Sequence, residues 1–143
     1  MGDWVTPISI LANSNKILSN EISYGGNVFP SAVGVLVFRA FDIVISNNVI
    51  HHHRYNGISI GSQNDYTTSY TSKIIVTQNY VYTIGQHILC DQGGIYMIGI
   101  QTGTFIYGNV VKNVFSYAQY MWGIYLDNST SNIVVANKVV YKM

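Results

Sequence analysis

Five asparagines, Asn20, Asn48, Asn79, Asn109 and Asn137, recur along this chain in one apolar frame. Three residues before them stand Ile17, Ile45, Val76, Ile106 and Val134, and two residues after them stand Ile22, Ile50, Val81, Val111 and Val139. Both columns are β-branched aliphatic throughout, which suits buried strands and disfavours helix. The asparagines are spaced by 28, 31, 30 and 28 residues, and a period of that size marks a stacked repeat. A second frame agrees with the first. Gly34, Gly57, Gly94 and Gly123 are followed at +1 by Val35, Ile58, Ile95 and Ile124, and at +3 by Val37, Ile60, Met97 and Leu126. Each repeat thus carries at least two short strands of period two. The pattern predicts an all-β solenoid, a parallel β-helix of about five coils forming one domain over residues 1–143. The asparagines themselves read as structural: they tolerate left-handed corner angles, and their amides bond from coil to coil.

Bulk properties narrow the partners. Charged residues make up 9% of the chain and the formal net charge is +1, which is not the basic stripe of a nucleic-acid binder. With 48% of residues hydrophobic, disorder is excluded. No apolar run approaches the ~18 residues of a membrane span, so no membrane partner is expected. The segment Met1-Gly2-Asp3-Trp4 lacks the basic-then-apolar pattern of a signal peptide. The lone Cys90 excludes an internal disulfide and leaves the redox compartment open. The repeat still runs at Val139-Val140 without the polar cap that stacked coils require. The expectation is a piece of a longer column, whose open end would be an aggregation edge.

If Ile58, Ile95 and Ile124 point inward, alternation sends Ser59, Tyr96 and Tyr125 outward in one column. Outward tyrosines form a platform suited to sugar rings, which offer an apolar face to aromatics. The alternative is plain strand propensity in a chain with 12 Tyr. The second coil carries a surplus in the polar stretch 62–72. Such an insertion bulges from a solenoid and builds one wall of a binding face, here at the end of the strand where Asp127 emerges.

Only six carboxylates exist, Asp3, Glu21, Asp42, Asp65, Asp91 and Asp127. Asp91 and Asp127 flank glycine-led strands of neighbouring coils, and two adjacent carboxyls are what glycoside hydrolysis requires. One must stay protonated to assist the leaving group. Aligned on Gly94 and Gly123, however, they fall at −3 and +4, and a straight strand would part them by ~23 Å. The pair works only if the turn before Gly93 folds Asp91 back over the strand. In the run His51-His52-His53, alternation sends His51 and His53 outward and His52 inward or along the corner, and the alternative to chemistry is corner packing and hydrogen bonding. A consecutive triple is not a metal-ligand spacing, and no metal or cofactor is expected. His87 lies in the corresponding region one coil on and is expected to approach this run. His51 and His87 are therefore secondary acid–base candidates. Cys90, with no base placed beside it, reads as a buried small hydrophobe. Asn128-Ser129-Thr130 fits a glycosylation sequon.

Three segments together carry a resemblance: YNGISIGS (55–62), LCDQGGIYMIG (89–99) followed by TGT (102–104), and WGIYLDNSTS (122–131). In this order they resemble right-handed parallel β-helix proteins of the pectin-lyase-like superfamily. The nearest likeness is to secreted proteins related to β-helical glycoside hydrolases of fucosidase and xylanase type. The resemblance spans roughly residues 15–141. It implies a right-handed helix, an extracellular location, and a polysaccharide or oligosaccharide partner. By the same resemblance Asp91 and Asp127 serve as acid and base or nucleophile, and His51 matches the histidine after the Asn-x-Ile corner. Substrate contacts are expected from Tyr55, Ser59, Gln92, Tyr96, Trp122 and Tyr125. The chain departs from the family pattern at Ser62, Thr102 and Asn128, where tryptophan, proline and glutamate are usual.

Three functions remain open at this stage. The first is a glycoside hydrolase, or a fragment of one, using Asp91 and Asp127. The second is a non-catalytic glycan-binding or adhesin-like column, since fold alone does not fix function. The third is a polysaccharide lyase, disfavoured because six carboxylates and no paired Lys or Arg give little for a calcium cluster and a proton-abstracting base.

Overall fold

The computed structural model describes residues 11–61, 66–67 and 69–143. The described chain is all β and winds through three parallel sheets in strict rotation. The first sheet holds β1 (Lys16–Leu18), β4 (Phe41–Ser46), β7 (Ser72–Thr77), β10 (Ile100–Tyr107) and β13 (Ser131–Ala136). The second holds β2 (Glu21–Ser23), β5 (Val49–His51), β8 (Tyr80–Ile84), β11 (Val110–Val114) and β14 (Val139–Tyr141). The third holds β3 (Val35–Val37), β6 (Ile58–Ile60), β9 (Gln92–Met97) and β12 (Met121–Leu126). Every pairing is parallel, so four full turns and two strands of a fifth make a parallel β-helix.

The two aliphatic columns line its interior. Ile45, Val76 and Ile106 from the first sheet and Ile50, Val81 and Val111 from the second are fully buried, facing Ile58 and Ile95 of the third. Each such side chain contributes about 1.5–3 kcal/mol by leaving water. The glycine column follows from this packing. A Cβ on Gly57 would lie 2.6 Å from both the Gly94 carbonyl oxygen and Val81 Cγ1. The valine of one sheet thus occupies the space that a side chain on the next would need.

Between the first two sheets runs the amide ladder. Asn20, Asn48 and Asn79 each donate Nδ2–H to the Oδ1 of the next asparagine up the column, at 3.0, 2.9 and 3.0 Å. Each backbone N–H of the three donates to the same oxygen. The left-handed corner is not the asparagine but the residue before it: Ser19, Asn47, Gln78 and Gly108 have φ of 54–66°.

The fifth coil departs from the expected frame by one residue. Val135, not Val134, pairs with Ile106, and Val140, not Val139, pairs with Val111. By this register Lys138 takes the ladder position above Asn109, and Asn137 sits on the left-handed corner with φ 47°. Asparagine is one of the residues that tolerate that corner, so spacing alone mistook a corner residue for a ladder residue.

Candidate active site

The third sheet presents the outward column that alternation predicts. Leu36, Ser59, Tyr96 and Tyr125 stand in register on β3, β6, β9 and β12. Leu36 is exposed, and the other three are half-buried. Asp91 and Asp127 lie at opposite ends of this surface. Asp91 precedes β9, with its N–H bonded to the Tyr120 carbonyl at 2.9 Å, and Asp127 follows β12, with its N–H on the Met97 carbonyl at 2.9 Å.

Their side chains nevertheless meet. Tyr125 Oη lies 3.0 Å from Asp91 Oδ1 and 3.1 Å from Asp127 Oδ1. Those two carboxylate oxygens are therefore at most about 6 Å apart, against the ~23 Å of a straight strand. The left-handed turn at Asp91, φ 57°, is what folds the carboxylate back. Gly93 leaves room beneath the phenol, since a Cβ there would stand 3.0 Å from Tyr125 Cβ. Buried Asn56 fixes the turn by accepting the Gly93 N–H at 2.8 Å, and Tyr55 Oη donates to the Asp91 carbonyl at 3.0 Å. Asn56 carries no chemistry in the sequence pattern, and only the fold reveals its positioning role.

The two carboxylates are solvated differently. Asp127 is half-buried and takes a 2.7 Å hydrogen bond from Tyr96 Oη on its second oxygen. Burial pushes its pKa up, but the bonds from Tyr96, the Asn128 backbone and Tyr125 outweigh that and hold it below the ordinary carboxylate value. Burial and hydrogen bonding to Asp127 raise the Tyr96 phenol well above its usual range. Burial and the bonds to both aspartates do the same to Tyr125. Tyr55 is raised by burial and then by the charge of Asp91. All three phenols remain neutral donors at physiological pH.

Around the pair lies a wall of rings. Trp122 stacks on Tyr125 at 3.9 Å between centroids, Tyr96 meets Tyr125 edge-on at 5.3 Å, and exposed Tyr120 extends the strip from Trp122 at 6.4 Å. Tyr120 sits before β12, outside the alternating frame, which hid it from a strand-based reading. At the far end of the strand, Gly99 donates to the Asn128 carbonyl at 3.0 Å. Just beyond, Tyr66, Ser69, Ser72, Lys73, Ile100 and Thr102 line a cavity of about 420 Å³. Part of the 62–72 stretch therefore walls this end, while Ser62 and Asp65 lie outside the described residues.

Several expectations are corrected. Gln92 is wholly buried and donates its amide to the Phe115 carbonyl, so it cannot touch a polymer. His51 belongs to the second sheet, not this surface. It is 5% exposed, stacks on Tyr82, and bonds Glu21 at 3.1 Å and His52 at 2.6 Å. Tyr24 and His52 cover the His51 ring that alternation sends outward, and His53 is buried as well, while His52 takes the left-handed corner as expected. His87 stacks on Phe115 and bonds the Ser116 carbonyl at 3.1 Å; among the described residues no hydrogen bond or ring contact links it to His51. Cys90 is exposed, since it lies in the loop before the Asp91 turn and not in the core.

The chain belongs to the right-handed β-helix region family, which matches residues 6–142. Among solved structures, a glycoside hydrolase superposes with a TM-score of 0.79 at 21% identity, covering 93% of this chain and 26% of that protein. The chain thus spans about a quarter of that protein's length, and the likeness shows a shared β-helix fold. No curated protein matches the chain in sequence.

Proposed function

We propose that this chain carries the hydrolytic surface of a carbohydrate-active β-helix protein, cleaving a glycosidic bond between Asp91 and Asp127. The observation that carries this reading is the single phenol oxygen of Tyr125 held between two carboxylates. Acid pairs of glycosidases stand ~5–9.5 Å apart, the shorter end serving a covalent glycosyl intermediate and retention. A separation of at most about 6 Å fits the shorter end. The aromatic strip Tyr120, Trp122, Tyr125 and Tyr96 would take the apolar faces of sugar rings, with Ser59 and Tyr55 offering hydroxyls to their polar edges. Similarity to the fold of a glycoside hydrolase supports the substrate class, and an extracellular location is part of the proposal.

The donors reaching the two carboxylates are phenols and a backbone N–H, all uncharged. That favours neutral glycans over uronates, which would meet two carboxylates with no cation among these contacts. It also favours hydrolysis over elimination. The test is a screen of the purified chain against neutral and acidic polysaccharides, following reducing ends and unsaturated-product absorbance in parallel. Reducing ends without unsaturation support hydrolysis. Unsaturated product would replace it with a lyase, and inactivity with retained polymer binding would leave a glycan-binding column.

A further inference from the structure

We infer that the cavity beyond Asn128 is a subsite for an anionic sugar, a uronate or a sulfated unit, whose charge is met by the Lys73 ammonium. The inference rests on the proposed function for its setting: the sugar bound here neighbours the neutral one held between Asp91 and Asp127. Two departures from the regular coil meet at this place. One is the polar insertion of the second coil, which runs into β7 at Ser72 and supplies Tyr66 and Ser69 to the cavity. The other is a bulge in β10. Ile100 pairs with Ser131 and Thr104 with Ile133, so four steps along β10 answer to two along β13. Surplus backbone of this kind bends a strand and recurs beside active sites. Buried Thr104 pins the bulge, its hydroxyl accepting the Ile74 N–H at 3.2 Å. Between insertion and bulge lies the hollow of about 420 Å³, a volume in the range of small-ligand sites.

The lining suits a charged sugar. Ser69, Ser72 and Thr102 bring hydroxyls, Tyr66 a ring that is 81% exposed, and Ile100 an apolar wall. Lys73 is the one charged side chain of the lining. Its backbone is left-handed, φ 53°, and its stem lies over Gly103, where a Cβ would stand 3.4 Å from Lys73 Cγ. Among the described residues the Lys73 ammonium has no hydrogen bond, ion pair or ring contact, and the Ser72 and Thr102 hydroxyls have no hydrogen bond. Asp42 holds the matching position one coil below, yet takes its bond from Ser14 Oγ at 2.7 Å. Other cations are occupied: Arg39 lies over the Tyr70 ring and Lys112 over Tyr80. An unused cation beside hydroxyls that donate and accept is what a sugar carboxylate or sulfate needs. The hollow also adjoins the pair, since Gly99 bonds Asn128 and their chain neighbours are Ile100 and Asp127. The aspartates themselves are met by uncharged donors. Together the two places define a heteroglycan, neutral at the cleaved linkage and acidic at a neighbouring unit.

The test titrates the whole chain with glucuronate, glucose 6-sulfate, glucose and inorganic sulfate, following the methyl resonances of Ile100 and Thr102 by NMR. At least one acidic sugar is expected to shift both methyls, with an affinity about 2–5-fold above that of glucose and a margin that narrows as salt rises. Which acidic sugar binds more tightly identifies the substituent. Lys73→Gln is expected to bring that sugar down to the level of glucose, and Lys73→Arg to keep the preference. No shift with either acidic sugar, affinity no greater than for glucose, or a preference retained in Lys73→Gln overturns the assignment. Inorganic sulfate binding as tightly as the acidic sugars overturns it too, because the site would then hold an adventitious ion only. The readout needs no cleavage. A chain that prefers acidic sugars here but cleaves no glycan upholds the subsite and removes the hydrolase reading alone. Cleavage without the preference removes the subsite and leaves that reading in place.

Discussion

Asp91 and Asp127 stand at opposite ends of neighbouring strands and yet share one hydrogen-bonding atom, Tyr125 Oη. That relationship depends on two backbone features, the left-handed turn at Asp91 and the missing side chain at Gly93. Gly93→Ala is therefore expected to loosen the pair without unfolding the column. An added Cβ would stand 3.0 Å from both the Ile95 carbonyl oxygen and Tyr125 Cβ, so the strand and the phenol must together give by a few tenths of an ångström. A crystal structure of the variant should show at least one of the two Tyr125–aspartate bonds lengthened by a few tenths of an ångström.

The slip of the fifth coil yields a stability prediction. Asn109 has no amide above it, because Lys138 holds the next ladder position. Lys138→Asn should extend the ladder, accepting from the Asn109 side chain and backbone, and stabilise the chain by about 0.5–1.5 kcal/mol. Chemical denaturation measures this, and an unchanged midpoint would mean that the register at β14 differs from Val111↔Val140.

Gly57→Ala probes the core corner. Its new methyl would lie 2.6 Å from the Gly94 carbonyl oxygen and from Val81 Cγ1. Overpacking of that kind costs about 1–3 kcal/mol, and occasionally more. The same substitution combined with Val81→Ala should recover part of the loss, which tests whether the valine column is what enforces glycine.

Buried His53 predicts how stability depends on pH. Burial lowers its pKa from 6.5, the bond to the Ile22 carbonyl partly opposes this, and the charges of His51 and His52 lower it further. A depressed pKa means that the unfolded chain takes up a proton before the folded one does. The stability due to neutral His53 is full above about pH 6.5 and is lost as pH falls through its lower folded value. Denaturation midpoints should decline over that window, and His53→Gln should flatten the decline. A wild-type midpoint that stays level from pH 7 to pH 5 would contradict this account.

The fold was legible because the inward positions repeat one chemistry. Ile45, Val76 and Ile106 sit where their spacing from the asparagines puts them, and the glycine column lands where Ile50 and the valines of the second sheet crowd it. Position along a strand also placed Ser59, Tyr96 and Tyr125 in one outward row. What depended on a turn was legible only as a condition, that the segment before Gly93 fold Asp91 back over the strand. Straight-strand geometry parted Asp91 from Asp127, because a single left-handed residue reverses the direction of a side chain without any mark in an alternating pattern. Gln92 failed for the same reason, since it lies beside a corner, where alternation no longer tells inside from outside; His51 points outward, as alternation has it, but is covered by Tyr24, His52 and Tyr82. Asn137 mimicked the ladder because asparagine suits both the ladder and the corner beside it.

The measurement that bears most directly on the central claim is kinetic, on whichever polysaccharide the chain cleaves. Asp91→Asn, Asp127→Asn and the double variant should be compared by kcat/KM, with circular dichroism confirming that each retains its β signature. If the two carboxyls work as one unit through Tyr125, each single change is expected to cost at least ~10²-fold, and the double variant should be no worse than the poorer single. Near-wild-type activity in either single variant, or losses that multiply in the double, would contradict it.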